Sequence, residues 1–233
     1  MLVVLLAPQT TQATWWQPAK GITWEIQLST TPNSLLPVNA YDVDLFDTPQ
    51  EKLDQMAGLG IKRICYFSAG SYEDWRADAP QLAPYRGNPL QGWEGEWWID
   101  IRRPEVRTVM TNRLDVAVSK GCDAVDPDNV DGFANDNGLG LTREDQLDYL
   151  RFLSDQAHAR GLAIGLKNAV ELVPDLVESF DFAVNESCFN YQECGTLQPF
   201  TAANKPVLQI QYGGKKEARR ICKRANGLGF RRS

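Results

Sequence analysis

Histidine is nearly missing from this chain: there is one, His158, in 233 residues. A Ser-His-Asp triad would have to be built on it, and a His-rich zinc or iron site cannot be built at all. The five cysteines show no C-x-x-C spacing, which leaves a zinc ribbon or a thioredoxin-type redox site unsupported. No run approaches the roughly 20 apolar residues of a membrane-spanning helix. No glycine-rich turn follows the first strand-like segment, so a doubly wound dinucleotide fold lacks its phosphate cradle. Any chemistry therefore falls to carboxylates, Lys, Tyr or Cys.

What is present is the composition of one soluble globular domain or two small ones, 43% hydrophobic and 23% charged. The formal charge of −6 is unevenly spread. From Lys215 to Ser233 eight basic residues face Glu217 alone, a charge of +7 that leaves −13 on residues 1–214. Such a body repels nucleic acid and anionic membrane and attracts cationic ligands. The basic tail reads as a solvated last helix or a small phosphate patch. Cys188 and Cys194 bracket a short polar segment that could close as a disulfide loop, which favours an oxidising compartment. Residues 1–19 open on the apolar Met1-Leu-Val-Val-Leu-Leu-Ala7, either a stunted signal peptide or an ordinary apolar terminus. Secretion and a monomeric state are the expectations.

Short apolar strands alternate with amphipathic helical stretches over residues 20–233, the pattern of parallel α/β architecture. Strands are expected at Trp24–Leu28, Tyr41–Phe46, Lys62–Ser68, Glu96–Arg102, Asp123–Val130, Leu162–Asn168, Phe180–Glu186 and Pro206–Tyr212. Helices are expected at Thr48–Leu59, Pro104–Ser119 and Thr142–Arg160, the last opening on the capping-box spacing Thr142…Asp145. Eight strands make a (β/α)8 TIM barrel the leading fold. Its first βα unit reads as degenerate, because Ser29–Ala40 is Pro- and Ser-rich and poorly helical.

Strand parity then assigns the barrel mouth. Asp126 and Asp128 share one face with Ala124; Lys167 shares one with Gly165; Glu186 shares one with Phe182 and Val184. Asp42 and Asp44, Tyr66 and Ser68, and Trp98, Asp100 and Arg102 follow on their own strands. An internal salt-bridge network with Lys167 and Arg102 accounts for part of this cluster, but not for acids ending three or four separate strands. Asp128 and Glu186 end the fifth and seventh expected strands, roughly 9–10 Å apart at the backbone with Lys167 between. Converging side chains can bring that within the range of paired glycosidase carboxylates. Lys167 should hold Asp128 ionised as nucleophile or base, while apolar Phe182 and Val184 should favour a proton on Glu186 as general acid. Asp126, two residues deeper, is expected to partner Lys167. All seven tryptophans fall in the first 98 residues, several beside acids, as sugar-stacking rings often are. His158, late on a helix, is expected to be structural.

Several segments together resemble glycoside hydrolase family 114. They are Cys65-Tyr-Phe-Ser-Ala-Gly70, Gly95-Glu-Trp-Trp-Ile-Asp-Ile-Arg102, Asp123-Ala-Val-Asp-Pro-Asp-Asn-Val-Asp-Gly132, Gly165-Leu-Lys-Asn168, Asn185-Glu-Ser-Cys-Phe189 and Glu193-Cys194. The resemblance spans about residues 20–212 and implies a secreted, metal-free endo-α-1,4-polygalactosaminidase on a (β/α)8 barrel. It implies Asp128 and Glu186 as catalytic carboxylates, a Cys188–Cys194 bridge, and a cationic galactosamine-containing polysaccharide as substrate. Asp44, Tyr66, Trp98, Asp100, Asp126, Asn129, Lys167, Asn168, Gln211 and Tyr212 form the expected binding set. Two departures stand out. Gln211-Tyr212 replaces the acid-Tyr pair common at the eighth strand, and the chain stops at Ser233 where relatives continue. A non-catalytic barrel that binds the same polymer is the rival reading, and an interaction domain that binds no sugar is a third.

Overall fold

The computed structural model describes residues 14–214, 221, 224, 225 and 227–232. The apolar opening through residue 13, Cys222 and much of the basic tail lie outside the described residues. Among the described residues eleven strands occur in chain order: β1 (Trp24–Gln27), β2 (Ala40–Asp44), β3 (Lys62–Ser68), β4 (Ser71–Glu73), β5 (Arg86–Pro89), β6 (Glu96–Ile99), β7 (Ala124–Asp128), β8 (Ala163–Lys167), β9 (Phe182–Glu186), β10 (Val207–Ile210) and β11 (Arg231–Arg232). Eight of them form one parallel sheet in the order β1-β2-β3-β7-β8-β9-β10-β11. β11 comes round beside β1, so the sheet nearly closes as a TIM barrel.

Local signals place the long helices. Pro104 starts the helix Pro104–Ser119, where its missing N–H costs nothing. Thr142 and Asp145 cap the helix Arg143–Ala159 reciprocally. No helix joins β1 to β2, as the Pro- and Ser-rich connection implies. Parity also holds. Trp24, Ala40, Ile64, Ala124, Ala163, Phe182, Val184 and Leu208 fill the barrel interior as an apolar plug. Their outward neighbours, including Cys65, Phe67, Val125, Ile164, Leu166 and Ala183, pack in the outer layer with the helices. A Cβ on Gly165 would stand 2.5 Å from the Phe182 ring, so the bare backbone there makes room for that ring.

One expected barrel strand is not one. Glu96–Arg102 supplies β6, the middle strand of a three-stranded antiparallel sheet in the order β4-β6-β5. This sheet belongs to an excursion between β3 and β7, which pair directly. A short apolar run reads as a strand in either setting, because its side-chain pattern does not name its partner. The missing eighth strand is β11, which pairs with Leu208 and Gln209 of β10. Asp128 and Glu186 therefore end the fourth and sixth barrel strands, Lys167 ends the fifth, and Gln211-Tyr212 follows the seventh.

Two disulfides lie among the described residues. Cys188–Cys194 ties the segment after β9, with Cα atoms 4.8 Å apart. Cys65–Cys122 joins β3 to the approach to β7, with Cα atoms 6.1 Å apart and a sequence separation of 57. Closing a loop of that length removes about 4 kcal/mol of unfolded-chain entropy on the loop-closure model. His158 stacks on Trp15 at 3.9 Å and bonds Asp181 at 2.9 Å, a structural role at the helix end.

Candidate active site

The inward strand ends turn sharply. Asn129, Asn168, Ala169 and Ser187, which follow β7, β8 and β9, all have left-handed backbone, with φ of 59°, 48°, 41° and 62°. Asn tolerates that region; Ala169 and Ser187 hold it at a cost, a form of strain that gathers at functional sites. The ends of β3 and β7 also approach closely. The N–H groups of Ala69 and Gly70 both donate to the Asp128 carbonyl, at 2.8 and 3.1 Å. A Cβ on Gly70 would lie 1.7 Å from the Asn129 carbonyl oxygen, so only glycine fits.

This frame holds Asp128 by three donors. Its Oδ2 accepts from the Tyr66 hydroxyl at 2.9 Å and faces Lys167 Nζ at 3.2 Å. Its Oδ1 accepts from the Asn129 N–H at 2.7 Å. The Asn129 side chain donates to Ser68 and Ser71, and Ser71 in turn donates to Glu96 Oε2 at 2.8 Å. Lys167 is buried over the Tyr66 ring and also reaches Asp126 Oδ2 at 3.6 Å. Burial alone would lower its pKa, but Asp126, Asp128, Glu186 and Asp42 outweigh that and hold the ammonium charged. Burial pushes Asp126 up to about 6 despite Lys167, and pushes the Tyr66 hydroxyl well above its usual range, with Asp128 adding to the effect.

Glu186 sits differently. Its carboxyl accepts from the Tyr212 hydroxyl and from Asn168 Nδ2 at 3.2 Å, while its backbone N–H donates to Asn168 Oδ1 at 2.9 Å. Phe182 and Val184 lie deeper, in the plug, so two neutral donors replace the apolar surroundings expected around this carboxyl. Burial, followed by Glu186 itself, raises Tyr212 to about 12, which keeps its proton available for that bond. No Lys or Arg pairs with Glu186 among the described residues; the cation sits on the Asp128 side.

The two carboxylates open onto a cleft with two lobes. The first, of about 530 Å³, is lined by Tyr66, Asn88, Pro89, Leu90, Trp93, Trp98, Asp128 and Asn129 among others. The second, of about 700 Å³, continues over Phe133, Val170, Tyr191 and Tyr212. Trp93, Asp131, Asn135, Asn168 and Glu186 belong to both, so Glu186 stands at the junction. Glu96, Asp128, Asp131, Asp136, Glu171, Glu186 and Glu193 give the lining seven carboxylates, and no Lys or Arg lines either lobe among the described residues. Trp93 is 65% exposed, a ring face open to solvent. The excursion sheet thus builds one wall of the cleft.

Of the sequence-derived set, Tyr66, Trp98, Asn129, Asn168 and Tyr212 line this cleft with the carboxylate pair. Asp126 and Lys167 lie beneath it. Gln211 donates to Asn190 at 3.0 Å beside the second lobe. Two acids sit outside the lining. Asp44 is clamped by Arg76 at 2.6 Å and by the N–H groups of Phe46 and Asp47. Asp100 is held by Arg102 at 2.7 Å and Arg103 at 2.9 Å. Its inward placement fails because its segment is not a barrel strand. Parity could not find Asp131, Asp136, Glu171 and Glu193, which lie outside the strands. Glu96 carried a signal, since it shares strand parity with Trp98.

The family model for glycoside-hydrolase family GH114 matches residues 6–232. No curated protein sequence matches the chain. The crystal structure of Aspergillus fumigatus Ega3 in complex with galactosamine is 40% identical, with a TM-score of 0.90 over 97% of this chain and 94% of that one. The glycoside hydrolase domain of PelA from Pseudomonas aeruginosa is 16% identical, with a TM-score of 0.70 over 91% and 94% of the two chains. An α-amylase from H. orenii, 8% identical with a TM-score of 0.57, covers 82% of this chain and 60% of its own; these last two share the fold. With carboxylates at the ends of parallel barrel strands and a family match over nearly its whole length, the chain belongs to glycoside-hydrolase family GH114 and is a glycosidase.

Proposed function

We propose that this glycosidase is a secreted endo-hydrolase of α-1,4-linked galactosamine polymers, with Asp128 and Glu186 as its catalytic carboxylates. The observation that carries this reading is the cleft itself: two lobes, seven acids, no lining cation among the described residues, and Glu186 at the junction. A polymer of amino sugars is cationic, and a chain lying across both lobes would present an internal bond at the waist. The galactosamine bound in Ega3 supports the same substrate class. Two disulfides favour an oxidising compartment, hence secretion.

In this mechanism Glu186 delivers its proton to the glycosidic oxygen, oriented by Tyr212 and Asn168. Asp128, paired with Lys167, attacks the anomeric carbon or activates the water that does. Trp93 offers an exposed ring face to the sugars. A reducing-end assay on partly deacetylated polymer tests the reading; binding without new ends would favour the non-catalytic barrel instead.

Two dependences follow from charge. Activity on deacetylated polymer should fall steeply with ionic strength, and less so on fully acetylated polymer, because salt screens long-range steering. Equal salt dependence would make the −13 body incidental. Burial raises Glu96 to about 6, so this carboxyl is protonated below that pH and adds one negative charge to the cleft above it. Binding of a cationic oligomer to wild type should tighten by about twofold to fivefold as pH rises through that value, the worth of a partly exposed charge pair. The step should shrink in Glu96→Gln to the part left by Asp126 beneath the cleft; an unchanged titration curve in the variant would remove Glu96 from sugar binding.

A further inference from the structure

We propose that Asp42, which touches no part of the cleft, is a positioning residue that carries a proton: its carboxylic acid donates to Asp126 and thereby fixes the Asp126–Lys167–Asp128 chain that aims Asp128. The inference rests on Asp128 being a catalytic carboxylate. Asp42 points into the barrel from β2 and Asp126 from β7, with β3 between them. Both are 0% exposed. All four of their carboxyl oxygens lack a hydrogen-bond donor from any other group. The one cation within reach among the described residues is Lys167, 3.6 Å from Asp126 and 3.2 Å from Asp128.

Two ionised carboxylates side by side in this position would leave a buried repulsion with nothing to satisfy it. One proton shared between these two orphaned carboxyls removes the repulsion and supplies the missing donor. Proximity to Lys167 assigns the anion to Asp126 and the proton to Asp42. The facing groups agree from every side. Tyr66 on β3, Asp126 and Asp128 on β7, Lys167 on β8 and Glu186 on β9 set one positive charge against two carboxylates, since Glu186 holds the transferable proton, and a further anion at Asp42 would face no cation among the described residues. Burial first, and Asp126 next, push the Asp42 carboxyl well above its ordinary range.

The role makes Asp42 a donor whose proton never leaves, unlike the proton that Glu186 would transfer. Asn at this position keeps a neutral N–H donor of the same shape, whereas Ala removes it. Asp42→Asn should retain kcat within about twofold with an unchanged pH profile, while Asp42→Ala should lose roughly ten- to hundredfold in kcat with little change in KM, as misplacement of a reacting group does. A loss in Asp42→Asn as large as that in Asp42→Ala, in a folded protein, would overturn the proposal.

Infrared spectroscopy of the wild type reads the proton without any turnover. Above the pH of about 6 at which Glu96 and Asp126 titrate, the protonated-carboxyl absorption of the wild type should lose one band in Asp42→Asn, whereas Glu186→Gln, which removes the transferable proton, should keep that band. An absorption unchanged by Asp42→Asn would refute the assignment whatever the activity. A band that behaves as expected in a protein with no glycosidase activity would instead count against the catalytic reading.

Discussion

Asp128→Asn is expected to lower kcat on galactosamine polymer by roughly a hundredfold or more, and Glu186→Gln to do the same, the loss typical of removing an acid/base group. Both substitutions keep side-chain shape, and polymer binding should stay within a few fold of wild type. The reason lies in the two environments. Asp128 has Lys167 at 3.2 Å and the Tyr66 hydroxyl at 2.9 Å, an arrangement made for an anion. Glu186 has only the neutral Tyr212 and Asn168 as partners. Circular dichroism should show both variants folded. If Asp126→Asn abolished cleavage while Asp128→Asn cleaved normally, the roles given to this strand would be wrong.

Lys167→Met should be the most damaging single change to stability. It removes the one cation among the described residues that faces Asp126 and Asp128, and leaves neither carboxylate an ion-pair partner over the plug. Breaking a buried pair in this way costs about 3–5 kcal/mol. The sign of its pH dependence follows. Lys167 lowers the pKa of Asp126 and Asp42, so its loss raises these carboxyls further above their unfolded values. A raised folded-state pKa gives stability that is present at low pH and lost as pH rises through it. The variant should therefore regain stability in denaturant titrations on going from neutral pH toward about 5, where the acids take up protons. A deficit that stays constant across that range would mean the lysine acts through packing alone.

Much of this site was legible because strand alternation is a strict rule. Ala124, Asp126 and Asp128 share a face in any strand, wherever that strand sits in the sheet. The same parity placed Lys167 and Glu186 without knowledge of their neighbours. Strand order was less accessible. Glu96–Ile99 reads as a strand but not as a member of the barrel, since antiparallel and parallel partners leave similar short apolar runs. That one misplaced strand hid the Cys65–Cys122 bridge, because it separated two strands that are hydrogen-bonded neighbours. It also hid the role of Arg231–Arg232, a basic pair with no strand signal that closes the barrel edge by backbone bonding. The cleft acids outside the strands, such as Asp131 and Glu193, have no period to betray them. Family resemblance singled out Asp128 and Glu186, but the acidity of the whole cleft came from the fold.

The most direct test of the account is the product profile from one defined α-1,4-galactosamine oligomer, followed over time by mass spectrometry. An endo-hydrolase with Glu186 at the junction of two lobes predicts early cleavage at internal bonds, giving pairs of shorter oligomers whose lengths sum to the substrate. An oligomer that binds and stays intact, or one that loses single sugars from an end, would contradict it.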